Sequence, residues 1–351
     1  MVKLGEVAKE RRESIKTDKA NKPIVGLEHL IPQQVQLTEW SNDADNTFTK
    51  LFHKGDVLFG RRRAYLKKAS LAPFDGICSG DITVIAPIEN KIAPELLPFI
   101  IQNDAFFDYA VEKSAGSLSP RVKWEHLKNY EFELPGLDEQ RKLAKILWAA
   151  EETKQTYKKL LQKTDDLVKA KFEEELALCE KKHPDKTVKL GDLTRIRTGK
   201  LDANASVNNG QYPFFTCSRE PLRINTYSYD CECVLVAGNG ELNAKYYNGK
   251  FDAYQRTYII ESLDKDKLSV PFLYYVLDKH IQTLQEQAIG GVIKYIKLGM
   301  LTEIQLSLPI IDKQNEFVDF AQQAEQSKQQ LQKSLDNLNA TMRALINENL
   351  K

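Results

Sequence analysis

Apolar residues recur every seven positions late in the chain, at Phe317, Ala324, Leu331, Leu338 and Leu345, with Ala321, Leu335 and Met342 on a companion row. A stripe sustained over heptads in this way predicts a long helix that packs against another helix. The same register occurs 174 positions earlier (317 − 143), at Leu143, Leu147, Ala150, Tyr157, Leu161, Thr164 and Val168. This first seam carries a threonine and a tyrosine and is the wetter of the two. Lys328 interrupts the second stripe, and Lys154 interrupts the first at the same offset. A shared polar interruption suits two helices that pair in one alignment; lysines that snorkel out of a loose interface suit the pattern equally. At about 1.5 Å per residue, a helix of about 40 residues is a rod about 60 Å long, a spacer's length.

Ahead of each stripe stands the same phrase. Leu134, Pro135, Asp138 and Gln140 match Leu308, Pro309, Asp312 and Gln314 at the 174-residue offset (308 − 134). Val2-Lys3-Leu4-Gly5-Glu6 matches Val188-Lys189-Leu190-Gly191-Asp192 at an offset of 186 (188 − 2). The repeating unit is therefore a globular segment followed by a rod. Within the first segment, residues 56–60, 77–80 and 82–87 are β-rich runs bounded by Gly, Pro or Asp, and 94–112 reads as helix. The second segment repeats the order with strands at 233–238, 246–251 and 257–260 and a helix from Pro271 to Leu284. Each then has a glycine loop, 114–120 or 288–293, and a short apolar strand leading into Leu-Pro. The predicted class is α+β. The expected divisions are a first globular domain at 1–137, a first spacer helix at 138–183, a second globular domain at 184–311 and a second helix at 312–351.

A length of 351 residues with 42% apolar content is ample for packed cores. The net charge is only +1, so any nucleic-acid surface must be a local patch. No apolar run approaches the length of a membrane span and residues 1–12 are charged, which predicts a cytoplasmic chain with no membrane role. Cys78, Cys179, Cys217, Cys231 and Cys233 lack a second pair at ligand spacing, so Cys231 and Cys233 read as free thiols in a strand. His29, His53, His126, His183 and His280 are scattered without ligand spacing. There is no Asn-Pro-Pro-Tyr or Asp-Pro-Pro-Tyr motif for adenine methylation and no Walker-type phosphate loop, and Gly238-Asn239-Gly240 lacks a third glycine. The expectation is a chain with no metal, no cofactor of its own and no catalysis.

These residues resemble the specificity subunits of type I restriction-modification systems, in which a conserved helix begins at Leu-Pro with a following Glu-Gln. Leu134, Pro135, Leu137, Asp138, Glu139, Gln140 and Arg141 follow that pattern, and Leu308, Pro309, Asp312 and Gln314 follow it with Lys313 in place of Glu. Thr198-Gly199-Lys200, residues 210–216 and the run from Gly249-Lys250-Phe251 to Arg256-Thr257-Tyr258 resemble the family as well. The resemblance covers essentially the whole chain. It implies two target-recognition domains, each reading one half of a split double-stranded DNA target. It also implies that the long helices pair as an antiparallel coiled coil with pseudo-two-fold symmetry and set the distance between the halves. Two methyltransferase (M) subunits would dock on those helices, bring S-adenosylmethionine and methylate adenine; restriction/translocase (R) subunits would join for cleavage. The expected pairing and docking residues are Leu143, Leu147, Tyr157 and Leu161 on one helix and Phe317, Leu331, Leu335, Leu338, Met342 and Leu345 on the other. Two rivals are a self-contained methyltransferase-nuclease fragment, against which the missing motifs count, and a coiled-coil scaffold. The scaffold explains the helices but not two mixed domains with one frame and different fillings.

DNA contact needs Lys and Arg for phosphates, and Arg, Asn, Gln, Ser or Thr for base edges. Arg61, Arg62, Arg63, Lys67 and Lys68, with Tyr65 among them and no acid between, form the clearest basic run. A solvated charged hairpin has the same composition. The glycine loops add Ser117, Ser119, Arg121 and Lys123 in the first domain and Lys294, Tyr295 and Lys297 in the second. Gly116, Gly290 and Gly291 would permit either close approach to a phosphate or a tight turn. The second domain also offers Lys200, Ser218, Arg219, Asn239, Lys245, Gln255 and Arg256.

Overall fold

The computed structural model describes residues 1–15, 22–42, 47–182, 184 and 187–350, and the chain divides into two compact units, Met1–Leu160 with Leu331–Lys351, and Leu161–Gln330. His183, and with it the expected end of the first spacer, lies outside the described residues.

The first unit holds a four-stranded antiparallel sheet in the order Ala8–Glu10, Ile82–Pro87, Val57–Gly60, Ala69–Leu71. Successive side chains of a strand point to opposite faces, and the Val57–Gly60 strand uses both. Val57 and Phe59 join a core with Phe99, Ile100, Phe106 and Phe107, whereas Leu58 joins Val25, Leu30, Phe52 and Val84. The second unit repeats this frame: Thr194–Thr198, Thr257–Ser262 and Tyr229–Ala237 are adjacent antiparallel strands of a six-stranded sheet. Val234 and Val236 face the helix core, and Cys233 and Leu235 face a smaller core around Phe215 and Phe251. Cys231 and Cys233 are free thiols in a strand.

One repeated element diverges, and one expectation changes. The middle strand runs of the two segments occur in the same sequence order but do different work. Gly76–Cys78 belongs to a separate three-stranded sheet with Ile24–Val25 and Lys50–Phe52, whereas Ala244–Ala253 extends the main sheet. The helix expected at 94–112 is two helices, Leu97–Ile101 and Asp104–Glu112. Asn103 causes the break: its backbone is extended, and its side chain accepts from the Ala105 N–H at 3.1 Å, starting a new helix. The matching helix of the second unit, Val270–Gln287, is continuous and capped by Ser269.

The Leu-Pro phrase is explained by its glutamine. Gln140 and Gln314 are 2% and 0% exposed. The Gln140 amide donates to the Pro135 carbonyl at 2.7 Å while its oxygen accepts from Ala93 N–H at 2.8 Å. Gln314 donates to Pro309 at 2.8 Å and Lys267 at 2.7 Å and accepts from Ser269 N–H at 3.0 Å. Each glutamine thus fastens the start of a long helix to the segment that leads into the domain's own helix.

Those long helices are Leu137–Lys182, 46 residues, and Ile311–Asn349, 39 residues. In the first unit Leu143 and Leu147 share a core with Met342 and Leu350. In the second, Phe172 shares one with Phe317 and Ala321, with the Phe172 and Phe317 rings 5.2 Å apart. Early residues of one helix meet late residues of the other, which is antiparallel pairing. Of the expected seam, Leu143, Leu147, Phe317, Leu335 and Met342 are buried. Tyr157, Leu161, Leu331, Leu338 and Leu345 are half-buried. Toward the domains the heptad gives way to steps of four, Val168-Phe172-Leu176 and Met342-Ile346-Leu350, at the same positions of the repeat. An unstrained helix drifts off a strict heptad, and this drift carries the stripe toward the domain core. The seam lysines do not snorkel freely: Lys154 is buried and ion-paired with Glu151. Lys328 pairs with Glu325 at 3.3 Å and, across to the other helix, with Asp165 at 2.6 Å.

Candidate nucleic-acid interface

In the first unit the Arg61–Lys68 stretch turns back between two paired strands, Val57–Gly60 and Ala69–Leu71, through a short helical turn at Ala64–Leu66. Arg63 and Lys67 take left-handed backbone at φ 54° and 50°. This turn and the glycine loop, 57 residues apart at Arg62 and Ser119, are laced together. Arg63 N–H donates to Pro120 at 2.8 Å, Val122 N–H donates to Arg61 at 3.0 Å, and Arg62 Nε donates to Ser119 Oγ at 2.8 Å. Ala115 and Arg121 exchange both backbone hydrogen bonds, at 3.0 and 2.9 Å, and close the loop at its base.

The run without an internal acid acquires acids from elsewhere in the fold. Asp81 receives Arg121 through both oxygens, at 2.8 and 3.3 Å, and lies 3.6 Å from Arg62. The Arg121 hydrogen bond is the main reason that the Asp81 carboxyl sits below its ordinary range. Lys67 pairs with Asp104 at 2.5 Å, and Lys68 donates to the Leu27 carbonyl at 2.7 Å. Arg61 is partly buried, with its Nε unpartnered in the described structure. Arg63, Tyr65, Ser117 and Lys123 are exposed, and neither Arg63 nor Lys123 has an acidic partner among the described residues.

The second unit is laced in the same way. Gly240 N–H donates to Lys294 at 2.9 Å, Ile296 N–H donates to Gly238 at 2.9 Å, and Ile289 exchanges both bonds with Tyr295. Each residue is the counterpart of one in the first unit, at offsets of 177 (240 − 63) and 174 (294 − 120). Gly116 and Gly290 take the same positive φ, 116° and 121°, where a side chain would be strained. Asn239 bridges Tyr295, and Arg256 lies beside them, its carbonyl accepting from Gly238 N–H at 2.8 Å. Gln255 N–H donates to Leu201, next to Lys200.

Arg219 is held by Glu241 at 2.6 Å, and Ser218 donates to the Glu220 carbonyl at 2.7 Å. Lys245 bonds Asn243, and desolvation by burial lowers its pKa. Lys200, Arg256, Lys294 and Lys297 are exposed with no acidic partner among the described residues. Lys297 stands apart from the lacing, at the start of the short helix Leu298–Thr302. Asp81 was not among the expected contact residues, and Lys250, named only within the family-like run, lies 4.8 Å over the Tyr227 ring. Among the described residues no cluster of His, Cys, Asp or Glu could hold a metal ion, and no helix is long and apolar enough to cross a membrane.

Each unit therefore presents exposed cations and hydrogen-bonding side chains on backbone-fastened loops, an arrangement suited to phosphates and base edges. The structure is similar to the S subunit of a type I restriction-modification system from M. genitalium, with a TM-score of 0.64 at 14% identity over 99% of this chain and 95% of that one. A chain from a structural study of type I complex assembly and conformational transition gives 0.58 at 17% identity over 99% and 96%. In sequence, the specificity subunit of the Escherichia coli type I restriction enzyme EcoDI is 48% identical over 124 residues, spanning 35% of this chain and 27% of that subunit. The family model for the type I restriction modification DNA specificity domain matches residues 1–163 and again 184–339. The chain belongs to that family.

Proposed function

We propose that this chain is the sequence-specificity subunit of a type I restriction-modification complex, acting in the cytoplasm on double-stranded DNA. Each domain reads one half of a split target through its laced loops, and the paired helices set the gap between the halves. The same helices dock two methyltransferase subunits, which carry S-adenosylmethionine and methylate adenine, and a restriction subunit can join for cleavage. The chain itself performs positioning and recognition, with no chemistry of its own.

The observation that supports this reading is the duplicated lacing. Arg63 N–H to Pro120 carbonyl and Gly240 N–H to Lys294 carbonyl are the same hydrogen bond in two domains whose surrounding strands differ. A frame kept twice with different side chains on it suits two readers of different sequences. The deciding measurement is adenine-methylome sequencing of a host carrying this chain with its methyltransferase subunit, against a host lacking only this chain. A split motif with a fixed gap, lost with the chain, is the expected result. An active, bound methyltransferase with no chain-dependent motif would leave a scaffold role instead.

A further inference from the structure

Leu118 is 90% exposed and Val292 is 104% exposed, the highest values among the described large hydrophobic residues. They are counterparts in the repeat, 174 positions apart (292 − 118). A single exposed leucine is ordinary. The same position bared at the tip of both glycine loops asks for a cause. Each tip is held out by a loop closed at its base, at Ala115 with Arg121 and at Ile289 with Tyr295. Exposed cations follow in the chain, Lys294 inside the second loop and the counterparts Lys123 and Lys297 two residues past each loop base.

We propose that Leu118 and Val292 each pack on the 5-methyl group of a thymine in the major groove of their half-site, an inference that rests on the DNA-reading function above. Phosphates, sugars and most base edges are polar, and the thymine methyl is the apolar feature of the major-groove edge. Wedging between base pairs favours bulky apolar side chains, and Val292 is short and branched at Cβ. The neighbouring cations engage phosphates and fix the height of the tip.

The test uses the full chain assembled with its methyltransferase subunit, as wild type, Leu118→Ser and Val292→Ser. A randomised duplex library yields the wild-type motif, and binding is then compared on that duplex and on copies with single thymines replaced by deoxyuridine. In wild type, one replacement in each half lowers affinity about fourfold, the worth of one buried methyl. Leu118→Ser loses a comparable amount on the thymine duplex and nothing more on deoxyuridine in its half; Val292→Ser does the same in the other half. The salt slope stays unchanged, because no phosphate contact is altered. Variants that bind as tightly as wild type, or that feel the missing methyl as strongly, overturn the proposal. Thermal melting of each variant confirms folding. A wild-type complex that enriches no split motif overturns the DNA-reading function itself, a result distinct from one that reads its motif and ignores the methyl.

Discussion

Asp81 engages two arginines of the candidate interface in the first domain. It holds Arg121 by two hydrogen bonds and lies against Arg62, whereas Arg63 is exposed with no acidic partner among the described residues. Arg63→Ala should weaken binding to all sequences alike and reduce the salt slope by about one, as for a phosphate contact; titrating affinity against salt checks this. Asp81→Asn should do the reverse, adding a unit of positive charge, steepening the slope by about one and reducing discrimination between the motif and random duplex, both read from the same titration. The folded Asp81 carboxyl is depressed, so its ion pair contributes fully above the unfolded pKa and fades as acid brings the pH down through the lowered value. Affinity through this pair is accordingly flat across the neutral range. The basic residues were legible from residue type and clustering. Asp81 was not, because it stands outside the basic run in sequence and only the fold brings it there.

At the level of the element, the fastening glutamines carry the sharpest expectation. Gln314→Ala removes three hydrogen bonds and strands the Ser269 N–H and two carbonyls, which should destabilise the second unit by about 2–4 kcal/mol in denaturant unfolding. Gln140→Ala, with two bonds, should cost less. Equal stability in wild type and variants would show that water replaces the amide without loss. The long helices were readable because a period of seven survives any detail of packing. Phe172 and Ile346 were missed because they follow the four-residue drift, which answers to the domain core and not to the partner helix. The break at Asn103 was missed because a stripe of apolar residues continues through it, while the side-chain cap that ends one helix and begins another is a single polar contact.

For the whole molecule, the spacer proposal makes the gap in the target a property of helix length. Inserting four residues after Leu161 adds about 6 Å of helix, close to two base-pair steps at about 3.4 Å each. The methylome should then show both half-sites unchanged and the gap widened by about that amount; an unmoved gap would remove the ruler. The two-domain repeat was legible from four matched residues and a fixed offset. The divergence of the sheets was not, since Gly76–Cys78 and Ala244–Ala253 differ in which strands they join, and partner choice is a long-range matter.

The lacing of the glycine loops is almost entirely main chain: N–H to carbonyl at Arg63, Val122, Gly240 and Ile296, with one glycine per loop held to a positive φ. Such a fastening makes few demands on the side chains that it displays. With the tips reading DNA as proposed, substitutions there change what is recognised while the frame keeps its shape and stability. A chain built this way can acquire a new target by small heritable steps, each folded and each testable by its host.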